Sequence, residues 1–229
     1  MLTFPSGLRP IAGGFINYAK TLGGGQSLSG IEQVASTMND RWQASYRFPV
    51  RTDDDVLALR AFVMSMRGRA STVALPMFDL ARAPWAVNAQ GIKQTPGAVR
   101  TPSLDGTPFA DAANLRDGLI RASITSLAAL NAIQLSVAVA AGSAPRPGHF
   151  FSLGTRGYAV QSVTGAGPYT LEIWPWLRVA ASSGQSVNFT SPVCEMRFAT
   201  DSEGADALKS LDQLRFGSLT LNFDEASPA

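Results

Sequence analysis

The chain has little of what most catalytic and metal-binding proteins are built from. Its 229 residues include one cysteine, Cys194, and one histidine, His149. A single cysteine excludes an intrachain disulfide and every multi-cysteine zinc site. A single histidine excludes His-pair metal motifs and leaves any triad with one candidate base. Charge is also scarce: 16% of residues are charged, against roughly 25% in ordinary soluble domains. The formal net charge is +2, so there is no broad basic field for nucleic acid and no acidic tail. Lysine is the rarer base, with 3 Lys against 16 Arg. Arginine suits planar, partly buried ion pairs and interfaces, although a GC-rich genome produces the same bias.

Other absences narrow the reading further. The opening MLTFPSGLRP lacks a basic stretch followed by an apolar one, so no secretory signal is expected. The one long uncharged run, Leu127 to Gly142, is shorter than the ~20 apolar residues of a spanning helix and includes Asn131, Gln134 and Ser136. It reads as a buried strand rather than a membrane segment.

The Gly23-Gly24-Gly25 stretch has no Gly-Lys-Ser/Thr after it, and no Gly-x-Ser-x-Gly elbow exists. His149 in PGHFF could serve as a base for Ser152, but no orienting acid is legible, and a structural histidine is the simpler reading. Cys194 lies mid-strand in PVCEMRF, where a thiol behaves as a small hydrophobe. Asn188-Phe189-Thr190 matches a glycosylation acceptor, idle without a secretory signal.

What is present is regular. Trp42, Ala44, Tyr46, Phe48 and Val50 alternate with Gln43, Ser45, Arg47 and Pro49, which predicts a strand. Pro49 lacks an N–H, so that end should lie at an edge or leave the ladder. Ile31 to Ser36 is expected to pair with it as the first arm of a hairpin, across a turn at Thr37–Asp40. Thr52 followed by Asp53, Asp54 and Asp55 reads as an N-cap and an acidic first turn, not a cation site. Val56, Leu59, Val63 and Met66, with Phe62, then share one face of a helix near 52–67. Arg67 lies in its last turn and Gly68 fits the position after it. Ser71 to Phe78 follows as an apolar strand.

From Asp79 to Gly118, prolines at 84, 96, 102 and 108 break every period and predict a linker or an arm. Beyond it, short apolar segments recur every ten residues or so: 119–126, 132–140, 149–153, 158–163, 169–174, 186–190 and 193–198. That spacing predicts a sandwich or small barrel. Leu208, Leu211 and Leu214 have helical spacing. Leu219, Leu221 and Phe223 alternate as a last strand. Trp85, Trp174 and Trp176 are the candidate contact residues, either as an aromatic platform for a glycan or as core and subunit-contact side chains. No catalytic residue, metal ligand or cofactor is assigned, and the chain is read as no enzyme.

The order of these parts, with GHFFSLGTRGYAVQSV, YTLEIWPWLR, PVCEMRFATD and LRFGSLTLNFDEA, resembles the distal tail (minor tail) proteins of long-tailed bacteriophages. The resemblance spans most of residues 28–226 and carries no catalytic motif. It implies a mainly β fold: a β-sandwich core with one amphipathic α-helix, formed by 1–84 and 191–229, carrying an inserted small β-barrel or sandwich module at 85–190. It further implies a homo-oligomeric, hexameric ring in the virion tail tip, made in the host cytoplasm and joining the tail tube protein to the tail-tip hub protein, with no recognition of nucleic acid sequence. The alternative is a glycan-binding β module that uses Trp174 and Trp176 in host attachment.

Overall fold

The computed structural model describes residues 1–5, 7–19, 21–26, 32–36, 40–78, 86–87, 93–94, 120–213 and 217–226. In chain order the elements are β1 (Leu2–Thr3), β2 (Ala12–Tyr18), β3 (Thr21–Gln26), β4 (Glu32–Ser36), β5 (Arg41–Val50), α1 (Asp53–Met66) and β6 (Val73–Pro76). Then come β7 (Ala86–Val87), β8 (Lys93–Gln94), β9 (Arg121–Ile124), β10 (Gln134–Ala141), β11 (Phe150–Leu153) and β12 (Arg156–Thr164). The last are β13 (Tyr169–Trp174), β14 (Ser186–Val187), β15 (Val193–Phe198), α2 (Glu203–Gln213) and β16 (Gly217–Glu225). The fold is mainly β. It divides into two compact units: Met1–Leu75 with Cys194–Ser227, and Pro76–Val193. The expected boundaries were 84/85 and 190/191.

The first unit holds a six-stranded sheet in the order β1-β6-β15-β16-β5-β2, and a separate two-stranded sheet of β3 and β4. The period-2 stretch forms β5, with Trp42, Ala44, Tyr46, Phe48 and Val50 all buried on one face. β5 is an inner strand, yet its proline is accommodated. The Arg47 carbonyl accepts from Ile11 N (2.8 Å), so Arg47 turns toward β2, and Pro49, two residues on, turns the same way. The β2 ladder stops at Ala12 opposite Arg47, so the missing N–H falls beyond it, while Pro49 stays in register with Ser218 of β16.

The expected 31–36 hairpin with β5 does not form. β4 pairs with β3, and β5 pairs with β2 and β16. Both strands carry β-compatible sequence, and nothing local distinguishes the partner β4 takes from one that it does not. Of the predicted turn at Thr37–Asp40, residues 37–39 lie outside the described residues.

α1 begins where its caps dictate. Thr52 Oγ1 accepts from Asp55 N (3.2 Å), and the Asp55 carboxylate accepts from Thr52 N (3.0 Å), a reciprocal capping box. Arg67 closes the helix in the left-handed region, with φ 50°. Leu59, Phe62, Val63 and Met66 are buried, and Phe62 meets the Phe198 ring edge-on at 6.3 Å. Two helices are present among the described residues: the resemblance implied one, and the helical spacing of Leu208 and Leu211 falls on the second, α2. α2 packs beside α1 because Gly204 has no Cβ: an added one would lie 3.1 Å from Val63 and 3.6 Å from the Phe198 ring. Glu203 Oε1 then accepts from both Asn222 N (2.9 Å) and its Nδ2 (2.8 Å), tying α2 to β16 past the end of β15.

In the second unit the sheet runs β11-β12-β13-β10-β9-β14. Its two ends meet: Ser152 and Asn188 exchange backbone hydrogen bonds at 2.9 Å each way. The sheet is therefore nearly barrel-shaped, with Phe151, Leu135, Val137, Leu171 and Phe189 buried within. Phe151 stacks on Tyr158 at 5.5 Å and meets Phe189 at 5.4 Å, so the seam is packed as well as hydrogen-bonded. The uncharged run is not one buried strand. Only Gln134–Ala141 is β10, while Leu127, Leu130 and Ile133 are exposed on a ribbon that pairs Ala128 with Ala181. Hydrophobicity marked the run but not which way its side chains point. Of the proposed arm at 79–118, only the pairing of β7 with β8 lies within the described residues.

Candidate functional site

Two surfaces stand out: the outward rank of β13 and the edge of the first sheet at β2.

On β13 the strand alternation sends Leu171 and Ile173 into the barrel and leaves Glu172 and Trp174 half-buried on the outside. Past the strand end the alternation persists: Leu177 is buried, while Trp176 and Arg178 are half-exposed. Trp174 lies opposite Ala159, which lies opposite Phe150, giving a row of two aromatics about a small residue. Below it Glu172 lies opposite Gln134 and accepts from Ser162 Oγ (2.8 Å). The Arg178 guanidinium sits 4.9 Å over the Trp176 ring, a cation–π contact within the chain. The backbone N of Arg178 donates to the Tyr158 hydroxyl (3.0 Å), which anchors this segment to the core. Trp174 and Trp176 thus share the outer side of one unit. Trp85 lies outside the described residues.

β2 pairs with β5 on one side only, among the described residues. Trp42 N donates to Glu225 Oε2 (3.0 Å) on β16, so even-numbered β5 residues turn to β16 and odd-numbered ones to β2. The β2 partners of the odd residues are Ala12, Gly14, Ile16 and Tyr18. By alternation, the N–H groups of Gly13, Phe15 and Asn17 point to the outer edge. Ile16 (61% exposed) and Tyr18 (52%) present apolar side chains beside that edge. Phe15 holds the strand down from the other face, edge-on to Trp42 (5.9 Å) and Tyr46 (6.0 Å). Gly13 lets β2 approach β5: its φ is +107°, and a Cβ there would lie 1.9 Å from the Ser45 carbonyl oxygen. Sequence reading missed this edge. The available signal was Gly13-Gly14 followed by the alternation of Phe15 and Asn17 with Ile16 and Tyr18.

The remaining candidates have structural roles. His149 Nδ1 accepts from Arg146 N (2.9 Å) and its backbone N donates to Arg146 O (3.2 Å), so the ring staples the turn before β11. Ser152 is fully buried at the barrel seam, closed to any substrate. Cys194 is buried beside Met196 and Phe198 on the inner face of β15. Asn188 bonds Ser191 through both side-chain atoms. Asp55 caps α1, and its carboxylate is held below its ordinary value mainly by the backbone N–H of Arg51, then by Thr52. No cluster of three metal-ligating side chains occurs among the described residues, and no helix there is long and apolar enough to cross a membrane. No protein-family model matches the chain, and no curated protein matches it.

Proposed function

We propose that this protein is a structural subunit of a phage tail tip, assembling through its own edges into a ring that joins the tail tube to the tail-tip hub. The observation that carries this reading is the β2 edge. It is seven residues long, irregular only at Gly13, with outward N–H groups and exposed Ile16 and Tyr18 beside it. Soluble proteins ordinarily blunt such edges with charge, proline or a covering segment, because an open edge is a template for another strand. A ring subunit has use for one. The division into a discontinuous first unit and an intervening near-barrel also supports it, since the resemblance implies that organisation. In this reading the six-stranded sheet and the β3–β4 pair belong to a sandwich-type, ring-forming core, and the site of function is the subunit interface. The ring is a hexamer, located in the virion, and performs no chemistry.

The test is the solution mass of the full chain by light scattering, with electron microscopy of the peak. Closed rings of discrete mass, lost in the Ile16→Lys/Tyr18→Lys variant, are expected. A monomer across the concentration range, together with absence of the protein from purified tails, would overturn the reading.

A second reading has one specific observation behind it. Glu172, Trp174, Trp176 and Arg178 form a half-exposed polar and aromatic rank on the barrel exterior. Rings flanked by a carboxylate, an amide and a guanidinium are what a glycan-binding face requires. Glycan-array binding that disappears in Trp174→Ala would favour it, and unchanged host adsorption in Trp174→Ala and Trp176→Ala would rule it out.

A further inference from the structure

Helix α1 is apolar on two opposite sides. Its inner side carries Leu59, Phe62, Val63 and Met66, all buried. At 100° per residue, Leu57, Ala61 and Met64 fall diametrically opposite, at i, i+4 and i+7. Leu57 is 57% exposed and Met64 64%, and Ala61 is exposed between them. Core packing explains the inner side and leaves this outer stripe without a partner among the described residues.

The charges around the stripe indicate what covers it. Asp53 and Asp54 stand at the N-terminal end, and Arg67 and Arg69 at and just beyond the C-terminal end, all exposed. The pattern is self-complementary when reversed. A twofold axis crossing the helix between residues 60 and 61 places Leu57 against Met64 of a second copy and Asp54 against its Arg67. Ala61 lies at the axis, where a small side chain lets two helices approach closely. Arg60, half-buried beside the axis, already interacts within its own chain. Parallel pairing would instead set acidic end against acidic end.

We propose that α1 packs antiparallel on α1 of a second copy of this chain, through Leu57, Ala61 and Met64, with Asp54 and Arg67 fixing the direction. The contact is isologous, each chain offering the same patch. A stripe of three side chains is smaller than the ~800 Å² per partner of a standard stable interface, so an isolated pair is weak. Two rings meeting face to face would make the contact several times over and hold by avidity. The proposal goes beyond the ring reading and does not depend on it: without rings the product is a dimer, and with them a double ring.

The test is sedimentation velocity on the full chain over a range of concentrations, with folding checked by circular dichroism. The wild type is expected to associate in even numbers. Leu57→Glu/Met64→Glu should halve the mass while the spectrum stays the same, both side chains being exposed. Asp54→Arg alone, or Arg67→Asp alone, should weaken pairing by roughly fivefold, as expected for exposed ion pairs, and the two together should restore it. Under mild oxidation Ala61→Cys should form a disulfide-linked dimer and Leu57→Cys should not. A wild type that never pairs, a mass unchanged in Leu57→Glu/Met64→Glu, or equal cross-linking at 57 and 61 would overturn the proposal. Failure of the ring reading is distinguishable, because Ile16→Lys/Tyr18→Lys would then leave the assembly as it was.

Discussion

The two units use similar six-stranded sheets to opposite ends. In the second, the sheet curls until Ser152 meets Asn188, and Phe151, Tyr158 and Phe189 pack behind that seam. The two edges are joined there by one reciprocal pair of backbone hydrogen bonds. In the first, the sheet stays open: two helices pack against one face, Glu203 caps β16 at Asn222 past the end of β15, and β2 is left with a bare side among the described residues. The difference teaches where to look for a functional surface. A sheet joined edge to edge offers little to a partner, whereas one that leaves an edge and apolar side chains in solvent presents a template for another strand.

The comparison can be broken most severely at the barrel seam. Phe151→Ala removes a fully buried ring with two aromatic neighbours and should cost about 3–5 kcal/mol. Hydrogen exchange should show protection lost through residues 120–193 and kept in β5 and β16. Loss spread evenly over both units would deny that the seam closes a self-contained core.

Gly13→Ala is next. The added methyl meets the Ser45 carbonyl in a backbone conformation that alanine avoids, so about 1–3 kcal/mol should be lost. β2 should detach from β5, and with it any assembly through that edge.

Thr52→Ala should cost about 1 kcal/mol by opening the capping box, read by denaturant unfolding. Asp55 makes the same box pH-dependent. Its folded value is depressed, so its contribution is complete above the unfolded carboxylate value of roughly 4 and is lost as pH falls through the lower folded value. Wild type and Asp55→Asn should therefore converge in stability on acidification.

Ile16→Lys/Tyr18→Lys should change monomer stability least, by under about 0.5 kcal/mol, since both side chains are exposed. Its effect should fall on assembly alone, which is what separates an interface from a core.

Much of the local structure was legible in the residues themselves. β5 announced itself by alternating aromatics. The start of α1 was legible because Thr52 and the three aspartates mark it by chemistry that acts over three or four residues, whereas its end comes one residue early: Arg67, expected in the last turn, is itself the left-handed cap before Gly68. The short strands of the second unit were visible as apolar segments between glycine turns. What was hidden was pairing. Whether β4 joins β3 or β5, and that β1 runs parallel to β6, depends on contacts between residues far apart in the chain. Direction was hidden too: Leu127, Leu130 and Ile133 looked like core and face solvent. At the candidate sites, Trp174 and Trp176 were picked out by type, but their outward aspect came from the register of β13 with β12. The β2 edge was missed because a free edge is a property of the sheet, not of its seven residues.

In the function proposed, the open edge of the first unit serves self-association. Light scattering on the purified full chain across a wide concentration range tests it most directly, run beside Ile16→Lys/Tyr18→Lys. A discrete closed oligomer, with six chains of 24.2 kDa per ring, that collapses in the variant is the result the account predicts. A wild type and a variant that remain identical monomers at every concentration would contradict it.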